Sequence, residues 1–76
     1  MTRYTEWPKE KLEKILGESI TDVGFSVRTA NLLGHKGIVV IQDLLACKKK
    51  DLMGIQNFGE KSYREVIDTL RRIGFY

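Results

Sequence analysis

One cysteine, one proline and one histidine in 76 residues remove several classes of protein at the outset. Cys47 stands alone, so an internal disulfide and a cysteine metal cluster are excluded; it reads as a small apolar residue near a helix end. His35 has no histidine or cysteine cluster around it and reads as a surface residue on a turn. The longest aliphatic run, Ile38-Val39-Val40-Ile41, is far too short to cross a bilayer, so no membrane partner is expected. Thr2-Arg3-Tyr4-Thr5-Glu6 is too polar for a signal peptide, which makes the cytoplasm the expected location. No segment alternates apolar and polar residues as a strand would, and no linker or low-complexity tract interrupts the chain. No nucleophile–base pair, metal-spaced carboxylate cluster or nucleotide loop is visible. The expectation is therefore a chain without catalytic residues, metal or cofactor.

What is present is the composition of one small globular domain, with 42% hydrophobic and 30% charged residues. The net charge of +3 is unevenly placed. Residues 1–23 hold four basic and five acidic side chains, whereas residues 24–76 hold nine basic and five acidic. The basic excess mildly favours a polyanionic partner for the second part of the chain.

The periodicity predicts helices throughout. Pro8 to Leu16 opens with a proline suited to a first turn, repeats Leu12, Ile15 and Leu16 on one face, and stops at Gly17. Lys9/Glu13 and Glu10/Lys14 are spaced as helix-surface ion pairs, and Trp7 is expected to pack the helix end. Ser19 to Phe25 reads as an irregular connector. Ser26 is a good N-cap for Val27 to Leu33, with Val27, Ala30 and Leu33 inward and Arg28 and Asn31 on the opposite face. After the turn Gly34-His35-Lys36-Gly37, a helix from Val39 to Cys47 would bury Val40/Ile41 and Leu44/Leu45. A helical turn at Asp51 to Met53 ends at Gly54. The longest helix, Glu60 to Ile73, places Tyr63, Val66, Ile67, Leu70 and Ile73 on its apolar face. One core of Val27, Leu33, Leu44, Val66, Ile67 and Leu70 is expected.

Between the last two helices lies Gly54-Ile55-Gln56-Asn57-Phe58-Gly59-Glu60-Lys61-Ser62. Gly59 has no side chain to hold a ligand away from the backbone. The amide N–H groups of residues 59 to 62 sit at a helix start, where donors lack partners and the helix dipole favours an anion. Lys61 and Ser62 add a cation and a hydroxyl. Ile55-x-x-Phe58-Gly59-x-Lys61-Ser62 resembles the helix-hairpin-helix family of DNA-binding modules. With Phe25-Ser26-Val27-Arg28-Thr29-Ala30-Asn31, Ile41-Gln42-Asp43-Leu44-Leu45 and Asn57-Phe58-Gly59-Glu60-Lys61-Ser62, the sequence resembles the carboxy-terminal domain of the bacterial RNA polymerase alpha subunit over about residues 12 to 74.

That resemblance implies an all-α bundle of four to five short helices containing two helix-hairpin-helix units. Residues 1–76 would form one domain, with 1–18 as an N-terminal helical extension. It implies binding in the minor groove of A+T-rich upstream DNA and a role in positioning RNA polymerase, in the bacterial cytoplasm at the nucleoid. Arg28 would enter the groove with Asn31 beside it, Gly59 would offer its backbone N–H to a phosphate, Lys61 and Ser62 would hold phosphate, and Glu65 would sit at the rim. A narrow A-tract groove attracts arginine, while lysine, serine and backbone amides position without reading sequence. The plainer roles are a surface arginine at 28, a local backbone contact at Asn31 and a helix-surface pair of Glu65 with Lys61.

The sequence also departs from the family. Leu32 stands where cysteine is common, and Gly24 stands where an acid is common, which weakens the transfer of a sigma-factor contact. Lys48-Lys49-Lys50 replaces an acidic or mixed stretch. It is a solvated patch or a contact for an acidic partner or phosphates, and activator contacts do not transfer. The family's amino-terminal assembly domain is not in this sequence, so an excised domain or a free-standing relative is expected. The competing readings are a module that binds a sigma factor or transcription regulator, and an accessory helix-hairpin-helix domain of a DNA-repair protein.

Overall fold

Helix follows helix in the computed structural model, which describes residues 4–76; the first three residues of the expected N-terminal extension lie outside it. Five α-helices are formed: α1 (Lys9–Leu16), α2 (Val27–His35), α3 (Ile41–Leu45), α4 (Lys49–Met53) and α5 (Glu60–Ile73). Short 3-10 turns at Tyr4–Glu6 and Ile20–Asp22 complete the pattern. Among the described residues the β-type pairing is a single antiparallel bridge between Ser19 and Val40. No helix is long and apolar enough to cross a membrane.

The core is built from residues spread along the whole chain. Leu33, Ile41, Leu44, Val66 and Leu70 are buried almost completely, joined by Ile20, Ile38, Leu52, Phe58 and Phe75. Ile67 is half-buried. Val27 corrects the expected core, because it is 78% exposed. The reason is helical phase. Thr29 and Leu33, four apart, define the buried face of α2, and Val27 lies about 200° around the helix from Thr29 at roughly 100° per residue. Thr29 is a polar residue taking a core position, so the apolar pattern misstated the phase.

The connector and α3 also differ from expectation. Val39 and Val40 are extended and not helical. Ile20 N–H donates to the Val39 carbonyl (2.9 Å), and Ile41 N–H donates to that of Glu18 (3.0 Å). Two adjacent β-branched residues favour that extended geometry. The bridge pins Ile20 into the core, and Ser19 caps the following 3-10 turn. Asp43 then starts α3 by accepting from Val39 and Val40 N–H (3.1 and 3.2 Å). Asp51 does the same for α4, accepting from Lys48 N–H at 2.9 Å. That bond explains why α4 begins at Lys49, before the predicted Asp51. Trp7 meets Phe75 edge to face, with ring centroids 5.5 Å apart.

Candidate nucleic-acid interface

Two helix starts create the site. Ser26 caps α2, its hydroxyl accepting from Thr29 N–H at 3.2 Å. The cap fixes where Arg28 leaves the helix. The second start follows the turn after α4. Phe58 is buried and its N–H bonds to the Ile55 carbonyl (3.0 Å), which anchors the turn. Asn57 reverses the backbone with φ 70°. Gly59 caps α5 and its carbonyl accepts the first bond, from Tyr63 N–H at 2.9 Å. The N–H groups of Glu60, Lys61 and Ser62 then have no acceptor within the helix.

Gly59 is informative because nothing internal requires it. Its φ is −115°, which other residues adopt, and an added Cβ would meet no atom within 4 Å. Neither backbone strain nor crowding within the protein bars a side chain here.

Glu65 ties the two starts together. Its Oε1 accepts from Ser26 N–H at 2.6 Å, and its Oε2 accepts from the Ser26 hydroxyl (3.2 Å) and the Thr29 hydroxyl (2.5 Å). Desolvation alone would raise its pKa. The Ser26 backbone bond, the two hydroxyl bonds and the charge of Lys61 outweigh this, and the pKa falls below the ordinary 4.5. So Glu65 does more than face Lys61 along its own helix: its carboxylate docks α5 onto the cap of α2.

The result is a shallow open depression. Arg28 reaches it from α2, and Lys61, Ser62, Arg64, Glu65 and Arg72 reach it from α5. Of the residues singled out by sequence, Arg28, Lys61, Ser62 and Glu65 meet here, although Arg28 and Lys61 are far apart in the sequence. Asn31 is exposed on the same face of α2 as Arg28 but does not line the depression, and neither does Gly59. Arg64 and Arg72 were missed. Arg64 follows Lys61 by three residues, a spacing that marks a shared helix face. Arg72 has a structural duty besides, since its guanidinium donates to the Val23 carbonyl at 3.0 Å. It lies so near Gly24 (φ 98°) that a Cβ there would come within 2.8 Å of it.

The lysine run sits at the start of α4. Lys49 approaches Glu60 at 3.9 Å and lies 5.0 Å from the Tyr63 ring centroid, while Lys48 and Lys50 are exposed. Cys47 is half-buried. Burial pushes its thiol pKa above 9.0, helped by Asp51 and Asp43 and opposed by Lys36. Among the described residues no group of three or more histidine, cysteine, aspartate or glutamate side chains could hold a metal ion.

The family model for the C-terminal domain of the bacterial RNA polymerase alpha chain matches residues 6–72. The DNA-directed RNA polymerase subunit alpha of Desulforamulus reducens is 36% identical over 69 residues, which is 91% of this chain and 22% of that protein. The Mycoplasma genitalium subunit is 35% identical over 74 residues, 97% of this chain and 23% of that protein. The Geobacter metallireducens subunit is 36% identical over 70 residues, 92% of this chain and 21% of that protein. The chain thus spans about a fifth of the length of the curated relatives it matches.

Proposed function

Because this chain belongs to the family of C-terminal domains of the bacterial RNA polymerase alpha subunit, we propose that it binds duplex DNA through the Arg28–Lys61 depression. Arg28 enters the minor groove, with Asn31 beside it. Lys61, Ser62 and the backbone at Gly59 hold the flanking phosphates. In this reading α2–α3 and α4–α5 act as two helix-hairpin-helix units. A+T-rich upstream DNA is preferred, and the bound domain positions RNA polymerase in the bacterial cytoplasm. Sigma factor or a transcription regulator would be further partners. The observation that carries the reading is the convergence of Arg28, Lys61 and Ser62 on one open face. The physical logic is division of labour: phosphate contacts fix register, and an arginine in a narrow groove senses its width.

The test is a titration of equal-length A+T-rich and G+C-rich duplexes at fixed salt, followed by NMR. The wild type binds the A+T-rich duplex more tightly. Lys61→Ala weakens both complexes alike and lowers the salt slope by about one. Arg28→Ala weakens binding and removes most of the preference. Equal affinity of the wild type for both duplexes would sink the minor-groove reading. An Arg28→Ala variant that keeps its affinity and preference would move the function to protein recognition.

A further inference from the structure

A second depression lies between the C-terminal half of α2 and the turn before α5. Leu32, His35, Lys36, Ile55, Gln56 and Asn57 line it. No carboxylate is among them, whereas Glu65 and Asp68 line the Arg28 depression. Its charged or titratable groups are Lys36 and His35 from α2 and its cap; the turn supplies uncharged Gln56 and Asn57. Asn57 is also the one non-glycine residue with positive φ among the described residues. That conformation costs energy even for asparagine, and such residues gather at ligand-contacting turns.

The two depressions are joined by α2. Arg28 and His35 are seven residues apart and leave the same face of the helix, about 10 Å from one another along its axis. The minor groove is only about 6 Å wide. A helix that puts Arg28 into the groove therefore carries its other end past the groove, onto a sugar–phosphate strand. Resting on the DNA reading above, we infer that His35, Lys36 and the Gln56–Asn57 amides form a second phosphate subsite, occupied by the DNA backbone.

The experiment is fluorescence anisotropy of the whole chain against an A+T-rich duplex at fixed pH and several salt concentrations. The variants are His35→Ala, Lys36→Gln and, as a control, Lys61→Ala. His35 and Lys36 are exposed, so both variants are expected to fold, which circular dichroism checks. His35→Ala removes a ring N–H donor and weakens binding roughly two- to fivefold, the scale of one hydrogen bond. Lys36→Gln lowers the salt slope by about one. If the wild type binds and Lys61→Ala weakens it while both α2 variants behave as wild type, the subsite is overturned and the DNA reading stands. If the wild type binds no duplex, both are overturned.

Discussion

At the scale of single residues, Glu65 and Gly59 separate folding from binding. Glu65 accepts three hydrogen bonds from the start of α2, one of them from a fixed backbone N–H. Glu65→Gln places an amide N–H₂ among those donors. It is expected to destabilise the domain by about 1–2 kcal/mol in urea unfolding, as bonds to a charged acceptor at a partly exposed site do. The folded-state pKa of Glu65 is depressed, so its contribution is complete above the ordinary 4.5 and is lost as pH falls through the folded value. Thermal melts should show the wild type and Glu65→Gln converging as pH drops below that range. Gly59→Ala should do the opposite. Its Cβ enters open space, so stability should stay within about 1 kcal/mol, alanine being a somewhat poorer cap. DNA affinity should fall about tenfold or more if a backbone N–H loses its phosphate. Wild-type affinity in a folded Gly59→Ala variant would remove the backbone contact from the proposal. The identity of these residues was legible in sequence, but the partners of Glu65 were not. Ser26 and Thr29 lie 39 and 36 positions away, and no local pattern encodes a bond at that separation.

At the scale of elements, what local patterning dictates was predicted and what long-range pairing dictates was not. The bounds of α5 match the prediction because its apolar stripe is long and its ends are glycines 59 and 74. Leu70, buried in that stripe, gives a direct test: Leu70→Ala should cost about 2–5 kcal/mol in chemical denaturation, the range for emptying a core leucine. By contrast, α3 runs from Ile41 and not Val39, because residues 18–20 pair with the backbone at 39–41. The same pairing buries Ile20, which lay in a segment expected to be irregular. α2 ends two residues later than predicted, at His35, because Gly34 is helical here and the backbone turns away only at Gly37 (φ 88°). That extra length is what carries His35 onto the face of Arg28.

At the scale of the whole molecule, the surface ion pairs are separated from stability. The described ion pairs are exposed and long, at 3.9 Å, and contribute little to folding. The cations are therefore available to a partner. With about three phosphates neutralised by Lys61, Arg64 and Lys36, the logarithm of affinity should fall with that of salt at a slope near −2.7. A slope near zero, measured by anisotropy across a salt series, would argue for a partner recognised without phosphates. The separation of the basic half from the acidic start was plain in sequence. The grouping of Arg64 and Arg72 with Arg28 was not, since it depends on how α5 lies against α2.

Trp7 against Phe75 brings the two ends of the described residues to one pole. From there α5 runs about 18 Å back to Lys61. A pulling force applied through both ends would load that ring pair first. That load would reach the Arg28 depression through Arg72, which lines it and lies three residues before Phe75.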